Sequence, residues 1–197
     1  MQIENNKEEV PFSHYAELFA KADPAEMAKR TGENFDGEAF CVTLLGTQYR
    51  IAYPSAEIAP QAPLPKQTFL LRYLLEGKQV APTGKYLTFR EMPWGELYIK
   101  PYTGRVLTRA AFTFGMKLAA FEAAAEKLGG KKLPHGDAGY EFSFIGGYTM
   151  QLLVWAGDDE FPPNAQVLYS DNFSQGFAPE DRVVAGDILI THIKSAM

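Results

Sequence analysis

Two stretches of the chain switch from a helical to an alternating period of apolar residues, and each carries glycine at its centre. In the first, Phe40, Val42 and Leu44 alternate with other residues, Gly46 and Thr47 interrupt, and Tyr49, Ile51 and Tyr53 alternate back. In the second, Ala138 to Ile145 leads into Gly146 and Gly147, and Tyr148 to Trp155 returns. A period of two places successive side chains on opposite faces of a strand, and glycine at the tip supplies the positive backbone angles of a tight turn. The pattern predicts two antiparallel hairpins. The run Leu152, Leu153, Val154 is apolar on both faces and suits a central strand.

Helical signals surround the hairpins. Ser13 is a candidate cap for a short helix carrying Tyr15, Leu18 and Phe19, and Asp23, Pro24 and Glu26 open a second one that Gly32 stops. Pro54, Pro60, Pro63 and Pro65 hold an extended loop, after which Leu70, Leu71, Leu74 and Leu75 share a helix face and Gly77 offers a left-handed terminus. Tyr86–Phe89 and Glu96–Ile99 read as strands around a Pro93, Trp94, Gly95 turn. A long helix is expected from an N-cap at Thr108 through Phe114, Leu118, Phe121, Ala125 and Leu128 to Gly129 and Gly130. Gln166–Tyr169 reads as one more strand. Pro179 starts a final helix with Glu180 and Asp181 in its first turn, where they complement the dipole.

Together these elements predict an α+β fold, a mainly antiparallel sheet built from the two hairpins and flanked by helices, in a single domain over residues 1–197. Residues 1–10 are expected to be a flexible N-terminus. The two halves share an order of helix, hairpin and helix, and Phe40, Val42, Leu44 and Gly46 match Tyr140, Phe142, Phe144 and Gly146 without a gap. That order fits an internal duplication, and it equally fits the commonness of helix–hairpin–helix units.

Composition narrows the function classes. A formal charge of −5 offers no footprint for phosphate backbones, so nucleic acid is not expected as a partner. Cys41 is the only cysteine, which leaves no internal disulfide and no all-cysteine metal site. The polar, acidic start and the lack of a long apolar run argue against a signal peptide and a membrane span, so a cytoplasmic location is expected. No phosphate-loop, dinucleotide or nucleophile-elbow pattern occurs, and no cofactor is indicated by a specific motif.

Two clusters carry polar chemistry. Asp158, Asp159 and Glu160 leave the second hairpin together, with His135 and Asp137 near its mouth and Asp171 after the next strand. Hard oxygen donors of this kind suit magnesium, manganese or calcium, so Asp137, Asp158, Glu160 and His135 are candidate metal-site residues. An acidic loop leaving a strand is also what solvation and Asp side-chain turns produce without any ion. The second cluster, Arg90, Trp94, Tyr98, Lys100, Tyr102 and Arg105, mixes rings with cations that can hold an anionic or planar ligand. Arg90, Trp94, Tyr98, Arg105 and Trp155 are therefore candidate ligand-binding residues, against the plain reading of packed aromatics and surface cations. His14 and His192 stand apart from any metal-ligand pattern, and Cys41 lies among apolar strand residues.

Trp94-Gly95, Tyr98, Arg105, the Phe112–Leu128 helix, Gly136-Asp137, and Trp155 with the Gly157-Asp158-Asp159-Glu160-Phe161-Pro162 segment resemble the bacterial domain of unknown function 3786 family. The resemblance covers most of the chain and implies no established activity. Some members are joined to a four-cysteine iron–sulfur domain of the kind found in corrinoid methyl-transfer proteins, which implies an accessory role linked to iron–sulfur or corrinoid metabolism. With one cysteine, this chain does not inherit cluster binding. Two functions are thus in view. One is a binding or accessory module recognising a small ligand or partner protein through Arg90, Trp94 and the acidic turn. The other is a divalent-metal enzyme, hydrolytic in type, in which Asp137, Asp158 and Glu160 hold the ion and His135 serves as acid or base.

Overall fold

A computed structural model describes residues 8–197. The chain opens with α1 (Glu9–Lys21) and α2 (Pro24–Thr31), then β1 (Asn34–Phe35), β2 (Ala39–Leu44), β3 (Thr47–Ala52), β4 (Ile58–Ala59) and α3 (Leu64–Glu76). A short strand β5 (Tyr86–Thr88) precedes α4 (Gly95–Tyr102), a wide π-helical segment Thr103–Thr108, α5 (Arg109–Phe114) and α6 (Leu118–Lys127). The remainder is β6 (Lys131–Leu133), β7 (Ala138–Ile145), β8 (Tyr148–Trp155), β9 (Asn164–Ser170), α7 (Phe173–Gly176) and α8 (Pro179–Lys194). The protein is α+β. Nine strands form one antiparallel sheet in the order β4-β3-β2-β7-β8-β9-β5, with β1 beside β2 and β6 beside β7. No helix among the described residues is long and apolar enough to cross a membrane.

Both hairpins stand as expected, with β8 in the interior of the sheet. They meet at their tips, where Leu44 pairs with Ile145 and the Leu45 amide donates to the Phe144 carbonyl at 2.8 Å. In the gapless match above, Leu44 corresponds to Phe144 and Leu45 to Ile145, so each contact exchanges with the other when the repeats are swapped. The elements repeat as well. A short strand, a hairpin, a further strand and a closing helix follow the opening helices in α1–α3, and the second half keeps that strand order between α6 and α8, with additional helical segments (α4, the π-helical segment, α5 and α7) around it.

One face of the sheet carries the core. Phe40, Val42, Tyr140, Phe142, Met150 and Leu152 are buried, whereas Thr43, Arg50 and Ser143, one step out of phase, are exposed. Aromatic contacts lock the helices to this face: Phe19 of α1 on Phe40, Phe69 of α3 on Phe144, and Phe121 of α6 on Tyr140. The opposite face meets solvent, so alternation survives in the strands.

Several local expectations are corrected. Of the stretch 1–10 expected to be a flexible N-terminus, residues 1–7 lie outside the described residues, and Glu9 and Val10 belong to α1. Ser13 is interior to that helix and caps nothing. Asp23 does cap α2, accepting from the Ala25 amide at 2.8 Å, and Gly32 ends it at φ 74°. Gly77 is extended at φ −65° instead of left-handed. Glu96–Ile99 is helix, not strand: Ile99, Tyr102, Val106, Ala110 and Phe114 follow a helical period through a continuous coil that Pro101 conceals in the sequence. Thr108 lies inside that coil and is no N-cap. The long helix expected after it breaks at Gly115, where a Cβ would stand 2.5 Å from Pro163 and 2.9 Å from the Trp155 carbonyl.

Phe144 is about 1% exposed and sits where the repeats join. Phe144→Ala is expected to cost about 3–5 kcal/mol in urea unfolding, and Thr43→Ala on the open face less than about 0.5 kcal/mol. Equal effects at the two positions would contradict the assignment of the faces.

Candidate functional site

The acidic segment after β8 is a self-contained turn. Asp158 Oδ1 accepts from the Glu160 amide at 2.9 Å and the Phe161 amide at 2.7 Å, and the Asp158 amide donates to the Phe161 carbonyl at 2.9 Å. These backbone donors hold the Asp158 carboxyl below its ordinary value. Asp137 Oδ2 accepts from the Ala156 amide at 2.8 Å and so ties the mouth of the hairpin to the strand leaving it. Among the described residues, no group of three or more His, Cys, Asp or Glu side chains is placed to hold an ion. His135, Asp137, Asp158 and Glu160 are thus not brought together as a ligand set.

The aromatic and basic candidates are dispersed. Arg90 pairs with Glu96 at 3.0 Å on the surface, and Trp94, 68% exposed, stands beside them with a left-handed backbone, φ 65°. Trp155 is half-buried at the far end of β8, where it pairs with Asn164. Tyr102 is buried with its ring stacked 4.0 Å from that of Phe89. Tyr98 and Arg105 turn instead toward α8: the Tyr98 hydroxyl donates to Glu180, and Arg105 pairs with Asp187 at 3.1 Å. Arg182 braces the segment from within, donating to the carbonyls of Phe177, Pro93 and Ser174 at 2.9, 2.8 and 3.1 Å.

Tyr98 and Arg105 lead to a crevice that sequence reasoning missed. It lies between α1, α3 and α8, encloses about 330 Å³, and takes residues from both repeats. Pro11, Tyr15, Pro65, Phe69 and Val184 supply an apolar wall, with the Thr68 hydroxyl among them. At its inner side Arg72 of α3 meets Asp181 of α8, with Nε 2.7 Å from Oδ1 and Nη2 3.0 Å from Oδ2. The two side chains are 20% and 7% exposed. The Arg72 guanidinium also donates to the Tyr15 hydroxyl at 2.7 Å, lies 4.9 Å from that ring's centre, and reaches Glu76 at 3.4 Å. Glu8, Glu180 and Arg105 complete the lining.

Burial opposes both charges of the pair. For Asp181 it prevails, pushing the carboxyl up to about 6, although Arg72 pulls in the other direction. For Arg72, burial is outweighed by Asp181 and Glu76, and the guanidinium stays above its ordinary value. Asp181 is therefore the member of the pair that titrates. Perturbed acids that line an apolar crevice are physical markers of ligand sites.

The Asp181 carboxyl is expected to titrate near pH 6 in a carbon-13 NMR experiment, and higher still in Arg72→Met, where the attracting cation is gone. The unfolded chain takes up this proton only near 3.8, so the native state binds more protons between about 4 and 6. Asp181 consequently adds roughly 1–3 kcal/mol of stability as pH falls through that window. A midpoint below 4 would contradict its desolvation. At the exposed turn, Trp94→Gly relieves a left-handed backbone and should gain about 1 kcal/mol. Gly95→Ala would set a Cβ 2.0 Å from the Phe89 carbonyl oxygen. It is expected to lose about 3 kcal/mol or more in the same denaturation assay.

Neither the curated proteins nor the solved structures include a match to this chain. A family model described as Domain of unknown function (DUF3786) matches residues 23–192, a span that contains the hairpins, the acidic turn, and both Arg72 and Asp181. The chain belongs to that family.

Proposed function

We propose that this domain is a small-ligand-binding module and that the crevice between α1, α3 and α8 is its site. The observation that carries the proposal is the combination of an apolar wall with a charged pair held inside it, Arg72 and Asp181, each drawn from a different repeat. Small-molecule sites typically join apolar enclosure to a few fixed polar groups, and they favour the seam between structural units. The polar groups here are pre-positioned. Arg72 is fixed by Asp181, Tyr15 and Glu76, while α3 and α8 are anchored on the sheet through Phe69 and the buried face of α8.

Filling the crevice tests the reading. Thr68 is half-buried on its wall, and Thr68→Trp places an indole in the space while leaving the sheet untouched. A fragment library screened by amide NMR against the full chain should yield compounds that shift Tyr15, Thr68 and Val184 saturably. Those compounds should lose binding in Thr68→Trp, with circular dichroism confirming the fold. Compounds that bind both proteins equally would move the site elsewhere.

A further inference from the structure

We infer that the crevice takes an organic ammonium ion with an apolar body, Glu180 and Glu8 serving as its counter-charges; the inference rests on the crevice being a ligand site. Both cations along the crevice already have carboxylate partners, and the inner one, Arg72, is the more fully engaged. Arg72 spends two edges of its guanidinium on Asp181 and Tyr15 and leans on Glu76, and Arg105 pairs with Asp187, which also holds Arg109. The carboxylates at the opening are not committed. Glu180 is exposed, and its side chain takes a hydrogen bond from the Tyr98 phenol, a neutral donor. Neither Glu180 nor Glu8 forms an ion pair with a cation among the described residues.

An entering anion would meet these two carboxylates, and to reach the buried Arg72 guanidinium it would have to displace Asp181, leaving a buried charge alone, a costly exchange. An ammonium ion instead finds two acceptors without breaking any existing pair. Its apolar part can lie against Pro11, Pro65, Phe69 and Val184. The volume, about 330 Å³, lies at the small end of ordinary ligand sites and suits a single ring or short chain.

Three probes with one apolar body separate the possibilities: benzylamine as its ammonium ion, benzoate, and benzyl alcohol, each titrated into the full chain at pH 7.5 and followed by amide NMR. Benzylammonium is expected to shift Tyr15, Thr68 and Val184 saturably, benzoate to leave them unmoved, and benzyl alcohol to bind more weakly than the amine. Glu180→Gln, at an exposed position where the amide oxygen can still accept from Tyr98, should weaken benzylammonium by about tenfold, with circular dichroism checking the fold. Raising the salt should weaken it as well. Benzoate binding as tightly as the amine would overturn the ligand class while leaving the crevice as a site. Amine binding that ignores Glu180→Gln, Glu8→Gln and salt would overturn the counter-charge role. If none of the three probes moves the crevice residues, the inference fails, and the site reading fails with it once the fragment library also gives no shifts there.

Discussion

The pairing of two hairpin tips, Leu44 with Ile145 and Leu45 with Phe144, is the contact on which the rest of the molecule depends. Joined end to end, the hairpins present one continuous apolar face, and helices from both halves must share it. That sharing brings α3 against α8, the corresponding last helices of the two repeats. The crevice is the space left along their seam, closed on one side by α1 and bordered on the other by Arg105 of the π-helical segment. Fold and site therefore have one origin.

The charged pair in the seam is not explained by stability. Removing Arg72 and Asp181 from water costs more than their attraction readily returns, as the raised Asp181 carboxyl records. A pair of apolar side chains would fill the same space with less strain on the thermodynamics. The pair fixes a guanidinium, a carboxylate and a phenol beside an apolar wall, and the proposed ligand site rests on that arrangement. The conspicuous acidic turn, by contrast, is explained by stability: Asp158 and Asp137 accept backbone hydrogen bonds that shape the exit from β8.

Legibility in the sequence tracked the range of the forces involved. The hairpins could be read because a half-exposed sheet leaves alternation in the strands, and α2 because Asp23 and Gly32 act within a single turn of backbone. Strands β1, β4 and β6 were not legible; two or three residues are too few to show a period. The α4 coil was misread since Pro101 interrupts its pattern, and at Gly115 the apolar period runs on past a break between α5 and α6, where Pro163 and the Trp155 carbonyl crowd against the glycine from a distant part of the chain. Of the proposed site residues, Arg105 lines the crevice and Tyr98 reaches it only through its bond to Glu180, whereas Arg90, Trp94 and Trp155 do not line it.

By itself, the sequence determined the α+β class, the two hairpins and the repeat of their pattern, because hydrophobic period and turn chemistry operate between near neighbours. Only the tertiary structure decided that the hairpins join at their tips and that Arg72 and Asp181, 109 residues apart, become partners. In the sequence Asp181 is one of two acids in a helix's first turn and Arg72 one cation beside a leucine face. Their meaning comes from desolvation and from each other, and both arise only when the two repeats close over a common core.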